Sequence, residues 1–182
     1  MAIYIALLRG INVSGHRLIN MNDLKQMFDG LGLGPVQTYI QSGNVLFRSE
    51  DAAERLSRRI KQGIEAVFGF DLPVLVRTAA EMAQIVSDCP FRVAELPEGE
   101  SLYVTLLADT PAQEGLDRLS AFPCGLDEFR LRGRDVYIRY RQSAHKSKLT
   151  NNLFEQKLRV PATTRNWQTI TRLAEMAKAM ES

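Results

Sequence analysis

Cationic and amide side chains gather in one N-terminal loop. Arg9, Asn12 and Arg17 lie in the polar stretch between an apolar run and the first helical pattern. A loop that leads from a strand into a helix presents backbone N–H groups and the positive end of the helix dipole, and both favour anions. Gly10 and Gly15 permit close approach of the backbone. The sequence therefore predicts an anion site here, although no Gly-Lys-Ser/Thr of a Walker loop is present. The alternative is an ordinary polar connection.

A second group of candidate ligand-binding side chains stands at the predicted C-terminal helices. Lys148 precedes one helix, and Arg165 and Asn166 open the next. A cation in a first helical turn is poorly matched to the helix dipole unless an anion lies nearby. We therefore predict that Arg9, Lys148 and Arg165 converge on one phosphate-like ligand at a basic site between the two halves of the chain. Trp167 lies on the apolar stripe of the last helix and is predicted to be core.

A third cluster is a basic hairpin predicted within residues 129–140, turning at Gly133-Arg134. Alternation places Arg130, Tyr137 and Arg139 on one face. Arginines around a tyrosine on a sheet face are typical of proteins that bind single-stranded nucleic acid. The alternative is that cross-strand pairs neutralise part of the charge. A two-residue turn sets two arginines opposite acids, in the pairs Arg132–Asp135 and Arg139–Glu128.

The segment 41–44, with the sequence Gln-Ser-Gly-Asn, predicts first of all a hairpin turn. Pairing about Ser42-Gly43 sets Ile40 opposite Val45. Ser42 and Asn44 are second-rank ligand candidates. In a split β-α-β unit we expect this hairpin at the sheet end opposite the Arg9 loop, so that a site shared by the two would need a contribution from the other half.

Residues suited to other chemistries are sparse. The soft metal ligands do not stand at paired-ligand spacing, so neither a metal nor a cofactor is predicted; they are His16, Cys89, Cys124 and His145. Ser143 and Lys146 have the Ser-x-x-Lys spacing of serine acyltransferases, but the partner motifs are absent. Paired carboxylates for acid–base work are not evident. The sequence names no catalytic residue and leaves open whether the protein is an enzyme.

Charge is unevenly distributed along the 182 residues. Residues 129–172 hold eleven of the 23 basic residues and two of the 21 acidic ones, which a formal net charge of +2 conceals. With 45% hydrophobic and 24% charged residues, the composition excludes a disordered chain, a collagen-like repeat and a disulfide scaffold. The longest clean apolar run, Ile3–Leu8, falls far short of the roughly 20 residues of a membrane span. Two cysteines far apart fit a reducing compartment, so we expect a cytoplasmic protein.

The elements that must position these residues repeat in order. A strand, a helix, a hairpin, a helix and a strand occupy residues 1–78, which is the β-α-β-β-α-β order of the ferredoxin-like split unit. A helix and a proline-containing linker follow in residues 79–99. The strand, helix and basic hairpin of residues 100–182 then precede helices near 149–158 and 165–180. We predict an α+β fold of two similar ferredoxin-like halves in tandem, with an extra C-terminal helix.

Three sequence motifs resemble one protein family. They are Leu-Leu-Arg-Gly-Ile-Asn-Val at 7–13, Thr-Tyr-Ile-Gln-Ser-Gly-Asn-Val at 38–45 and Thr-Thr-Arg-Asn-Trp at 163–167. In this order they are similar to the bacterial family of domains of unknown function numbered 1697. The resemblance implies an α+β fold of two ferredoxin-like halves and implies no activity. Relatives often have Gly-Gly-Lys where this chain has Ser14-Gly15-His16, so a permanent cation in this loop is expected from Arg17.

Three functions follow as hypotheses. The first is a protein that binds a phosphate-bearing ligand, either a nucleotide or a nucleic acid. The second is an enzyme acting on a small anionic metabolite, with Arg9, Asn12, Lys148 and Arg165 as binding groups. The third is a protein-interaction module without a ligand site. The sequence leaves the oligomeric state open.

Overall fold

The computed structural model describes residues 1–181, which form two compact units. Unit 1 comprises Met1–Gln84 together with the chain from Arg172 onward, and unit 2 comprises Ile85–Thr171. The first six elements are β1 (Ala2–Leu8), α1 (Met21–Gly30), β2 (Gln37–Tyr39), β3 (Asn44–Ser49), α2 (Ala53–Phe68) and β4 (Val74–Thr78). After α3 (Ala79–Ser87) come β5 (Ser101–Leu107), α4 (Gln113–Ser120), β6 (Glu128–Arg132), β7 (Asp135–Tyr140), α5 (Asn151–Leu158), β8 (Ala162–Asn166) and α6 (Trp167–Met180).

Unit 1 contains an antiparallel sheet in the order β2-β3-β1-β4. Alternate residues of β1, among them Tyr4 and Leu8, face a core that also contains α1 and α2. Apolar residues three or four apart give each helix one buried stripe, as in Leu56, Ile60 and Ile64 of α2. The opposite face of β1 is buried too, as predicted for a central strand.

Unit 2 repeats this arrangement with the sheet order β6-β7-β5-β8. Its core packs α4 and α5 against the face of the sheet that carries Leu107, Val136 and Ile138. The predicted pairs Arg132–Asp135 and Glu128–Arg139 lie opposite each other, which confirms the register of the basic hairpin. The α+β fold of two similar halves is therefore confirmed, while the predicted segment boundaries at residues 78 and 99 stay predictions.

The two sheets also share one register, residue by residue. Tyr4 pairs with Thr78 in unit 1, as Tyr103 pairs with Asn166 in unit 2. Counting from these pairs makes each position of one unit equivalent to a position of the other. Two equivalent pairs matter for the candidate site: Arg77 with Arg165, and Ala79 with Trp167.

Two local predictions were wrong, whereas α5, at Asn151–Leu158 after a Thr150 cap, lies where a helix near 149–158 was predicted. Residues 162–166 form a strand where a helix was predicted from residue 165. The β2–β3 turn has four residues, so that Thr38 and not Ile40 lies opposite Val45. Across residues 1–181, the helices are all too short or too polar to cross a membrane.

Candidate functional site

Two of the three motifs that carry the family resemblance meet at one end of unit 1. The Asn12 side-chain amide donates to the Gln41 carbonyl at 2.7 Å, and the Leu8 N–H donates to the Gly43 carbonyl at 2.9 Å. The expectation that the Arg9 loop and this hairpin lie at opposite sheet ends was wrong. Because β1 and β3 are antiparallel, with Leu7 opposite Asn44, the end of β1 lies beside the start of β3.

The amides at this end hold the backbone together. Asn12 also donates to the Ile19 carbonyl at 3.1 Å and accepts from the Ile19 N–H at 2.8 Å, which uses both amide hydrogens and the oxygen. Asn44 is fully buried and donates to the Tyr39 carbonyl at 3.0 Å and to Ser42 Oγ at 2.9 Å. The geometry therefore gives Asn12 and Asn44 a positioning role.

Glycine is required at the centre of this contact. Gly43 has a φ of +83°, and a Cβ there would lie 2.9 Å from both Leu8 Cβ and Ile11 Cδ1. Only a residue without a side chain allows the turn to approach β1 this closely.

The two arginines of the loop have different contacts. The Arg9 N–H donates to the Pro73 carbonyl at 3.1 Å, and the half-buried Arg17 side chain lies against Gly10. Residues 9–22 contain no carboxylate. The anion site at Arg9, Asn12 and Arg17 stays a prediction.

Arg165 lies in strand β8 and not in a first helical turn. It is 8% exposed, pairs across the sheet with Val104, and donates from Nη1 to Thr163 Oγ1 at 2.7 Å. Burial lowers the pKa of its guanidinium to about 10. The equivalent Arg77 of unit 1 is likewise buried, at 1% exposure.

The other predicted cations of unit 2 have separate surroundings. Lys148 is exposed just ahead of the Thr150 cap of α5. Asn166 caps α6, because its side-chain oxygen accepts from the Thr169 N–H at 2.8 Å. Convergence of Lys148 and Arg165 with Arg9, which belongs to unit 1, stays a prediction.

Glutamates neutralise part of the basic hairpin. Arg139 contacts Glu100 at 3.0 Å and Glu128 at 3.5 Å, and Arg141 contacts Glu128 at 3.1 Å. Arg130 is held less closely, because its nearest Glu128 oxygen is 4.0 Å away, and its guanidinium lies 5.1 Å from the centre of the Phe91 ring. The prediction of partial cross-strand neutralisation is therefore confirmed.

Tyr137 is not placed to stack on a base, as the nucleic-acid hypothesis for the hairpin would require. The ring is fully buried and its hydroxyl donates to the Ile85 carbonyl at 2.5 Å. Burial, with nearby Asp135 contributing, raises the pKa of this phenol well above its ordinary value.

Two adjoining depressions lie on unit 2, where the linker of residues 90–99 passes the sheet. The aromatic pocket, about 350 Å³, is lined by the half-buried Tyr103 and Trp167, with Glu100 and the amides Asn166 and Gln168. The arginine depression, about 310 Å³, is lined by Phe91 and the arginines Arg92, Arg130 and Arg139, together with the carboxylates of Glu95 and Glu128. Leu96, which follows a helical turn at Val93–Glu95, lines both depressions. We call the two together the unit 2 groove.

Sequence reasoning missed the linker side of this groove. The prolines of residues 90–99 indicated a connection, and nothing in their spacing indicated that Phe91, Arg92 and Leu96 would form a wall. Trp167 was predicted to be core, yet it lies at the start of α6 with part of its surface in the aromatic pocket. Residues 1–181 contain no group of three side chains suited to hold a metal ion.

Comparison with known proteins gives a family and a fold. The family model described as "Protein of unknown function (DUF1697)" matches residues 1–137. The solved structure of conserved bacterial protein SP0830 from Streptococcus pneumoniae has a TM-score of 0.74 and 19% identity to this chain. The alignment covers 97% of this chain and 98% of the other. None of the proteins with curated descriptions matches the sequence.

Proposed function

The chain belongs to the DUF1697 family of proteins of unknown function, and we propose that it binds a nucleotide in the unit 2 groove. The aromatic pocket would take the base and the arginine depression the phosphate. The observation that carries this proposal is the half-buried Trp167 in a pocket beside a set of arginines.

Comparison within the chain supports a ligand role for Trp167. The equivalent first residue of the helix after β4 is Ala79, so the same fold is built with a methyl group at this position. The fold that the two units share therefore does not require an indole at this position. The Trp167 indole offers stacking surface to a planar ring, which is worth about 1–3 kcal/mol per base.

Polar groups around the indole supply orientation. Asn166 and Gln168 are exposed residues of the pocket lining, and side-chain amides suit the donor and acceptor edge of a base. Glu100 lines the aromatic pocket and holds Arg139, which lines the arginine depression. This ion pair forms the wall between the two depressions.

Arg92 and Arg130 are the cations best suited to a phosphate. The Arg92–Glu95 pair is highly exposed, and such pairs contribute about 1 kcal/mol or less, so a phosphate competes easily. Arg130 has only a distant carboxylate. Arg139 and Arg141 already form ion pairs with Glu100 and Glu128. Two available cations support a mononucleotide over a nucleic-acid strand.

The size of the two depressions agrees with a small ligand. Each volume, about 350 Å³ and about 310 Å³, lies at the lower end of the range of ligand pockets. A nucleotide that spans both would place its ribose near Leu96.

Trp167 makes the proposal directly testable because it is the only tryptophan of the chain. Titration with nucleoside monophosphates is expected to change its fluorescence in a saturable way. At about 100 times Kd, the ligand should raise the melting temperature by about 5 °C. Binding should depend on salt with a log-log slope of about two or less.

Arginine variants separate phosphate recognition from ring recognition. Arg130→Ala should weaken nucleotide binding about tenfold, as expected for a lost charge-assisted contact, and leave nucleoside binding unchanged. Arg132→Ala is the matched control, since Arg132 lies on the same strand two residues along and is not among the arginines of the depression. Unchanged fluorescence and melting temperature at about 5 mM nucleotide would refute the proposal, because this concentration exceeds the Kd of a weak millimolar site.

A further inference from the structure

The aromatic pocket of unit 2 has a counterpart in unit 1. A depression of about 400 Å³ lies where β1 begins and where β4 leads into α3. Counting from the paired strands makes its lining residues 1–3 equivalent to residues 100–102 of the aromatic pocket, and 78–80 equivalent to 166–168. The depression itself therefore belongs to the architecture that the two units share.

The side chains that could recognise a ligand are present only in the pocket of unit 2. It has Glu100, Asn166, Trp167 and Gln168 at the positions where unit 1 has Met1, Thr78, Ala79 and Ala80. The side chain of Glu100 is only 11% exposed, and burial of a charge costs free energy. Since unit 1 forms the same depression without an acid, Glu100 is a residue of the site and not of the shared fold.

The arginine that holds Glu100 is, by contrast, present in both units. Arg139 of β7 is equivalent in register to Arg48 of β3. Arg48 donates to the Met180 carbonyl at the end of α6, whereas Arg139 donates to both carboxylate oxygens of Glu100, at 3.0 and 3.3 Å. The shared cation thus fixes in unit 2 an acid that has no counterpart in unit 1.

The carboxylate of Glu100 can accept further hydrogen bonds. An ionised carboxylate is an acceptor only, with about four lone-pair sites. A single nitrogen of Arg139 contacts both oxygens, and the Nε of Arg141, at 3.6 Å, is too distant for a hydrogen bond. The group therefore suits a ligand edge with two neighbouring donors and repels an edge that presents an acceptor.

Resting on the nucleotide site proposed above, we infer that Glu100 makes the aromatic pocket selective for guanine. Among the four common bases, guanine has two adjacent donors on its Watson–Crick edge, N1–H and the 2-amino group. Adenine, cytosine and uracil each present an acceptor beside their donor, which would face the negative carboxylate. With the guanine ring on the Trp167 indole and its edge at Glu100, the phosphate is left for the arginine depression.

Titration of the full chain with a series of nucleoside monophosphates, followed by Trp167 fluorescence, tests the choice of base. GMP should bind at least about tenfold more tightly than AMP, CMP or UMP, which is the lower end of the discrimination given by a bidentate contact. IMP keeps N1–H and lacks the 2-amino group, so its affinity should lie between those of GMP and AMP. Equal affinities, a preference for another base, or IMP binding as tightly as GMP would overturn the inference and leave the nucleotide site standing. Absence of binding by every nucleotide would refute the site itself and the selectivity with it.

Glu100→Gln tests the carboxylate directly. The amide has the same size but presents one donor and one acceptor, so the preference for GMP over AMP should fall to about threefold or less. Arg141→Gln is the matched control, because it removes ion pairs to Glu100 and Glu128, keeps the carboxylate, and changes a residue that lines neither depression. Its preference for GMP should equal that of the parent protein, with circular dichroism showing that both variants are folded at the assay temperature. Full preference for GMP in Glu100→Gln would overturn the role of the acid.

Discussion

Replacement of Asn12 tests how the Arg9 loop is held to the hairpin. The side chain makes three hydrogen bonds, each worth about 1 kcal/mol net, although the contact with Gln41 is exposed enough for water to substitute in part. Asn12 also has a φ of +54°, which alanine tolerates less well than asparagine by about 1 kcal/mol. Asn12→Ala should therefore lower the free energy of unfolding by about 3 kcal/mol. Asn12→Gly loses the same bonds without strain, so we expect a loss of about 2 kcal/mol.

Urea unfolding followed by circular dichroism measures this difference. With a slope of about 2 kcal/mol per molar urea, the midpoint should fall by about 1.5 M for the alanine variant and about 1 M for the glycine variant. Asn22→Ala is the control, since Asn22 is an exposed asparagine of α1 and alanine favours a helix. A glycine variant no more stable than the alanine variant would refute the role of strain. A loss below about 1 kcal/mol in both would refute the role of the bonds.

Three further changes test other parts of the structure. Burial raises the pKa of the Tyr140 phenol in the folded state. The folded protein therefore keeps this proton at a pH at which the unfolded chain loses it. The contribution of Tyr140 to the free energy of unfolding is complete below about pH 10 and is lost as the pH rises further. Tyr140→Phe should lower the free energy of unfolding by about 1 kcal/mol at pH 7, because the Leu149 carbonyl loses its donor at 2.6 Å. In urea titrations the difference in this free energy between the variant and the parent protein should close above about pH 10. A difference that stays constant with pH would contradict this. Glu100→Gln should lower the free energy of unfolding by about 2 kcal/mol, because Arg139 keeps its charge in a half-buried place, and an unchanged urea midpoint would contradict this. Ile40→Asn should raise the melting temperature by about 2 °C by relieving a left-handed β-branched residue, and a lower melting temperature would show that the isoleucine stabilises the turn.

Element order was predictable from the sequence because apolar periodicity follows the layers of the fold. The register of the basic hairpin was also predictable, since Gly133 and Arg134 form a two-residue turn that fixes every pair behind it. The first hairpin was not predictable in this way. Its four-residue turn contains Ile40 at a positive φ, a conformation that no propensity assigns to isoleucine.

Strand β8 was missed because its composition does not look like a buried strand. Residues 163–166 are all polar, and they are accommodated by specific partners rather than by apolar packing. Thr164 shares a hydrogen bond with Thr105 at 2.7 Å and donates to Asn151 at 2.9 Å, while Arg165 bonds back to Thr163. Such a network depends on residues distant in sequence, which local pattern does not reveal.

Some contacts of the site residues were predictable from the sequence and others were not. Asn12 and Gln41 meet because β1 pairs antiparallel with β3. The order of elements implies this pairing, whereas adjacency in the sequence does not. The unit 2 groove depended on a linker whose path is set by long-range contacts. Its hairpin arginines were identifiable from sequence as a basic cluster, whereas the distances were needed to show which of them pair closely with glutamates.

The duplication separates residues that serve the fold from residues that serve a site. Arg77 and Arg165 occupy the same register position, and both are buried, so a buried arginine here belongs to the architecture shared by the two units. Arg165 is therefore a poor choice for the ligand cation that its motif suggested. At the next helix start the units differ, with Ala79 in one and Trp167 in the other. Because one unit folds without the indole, a Trp167→Ala variant should keep its fold and lose only the nucleotide binding that we propose.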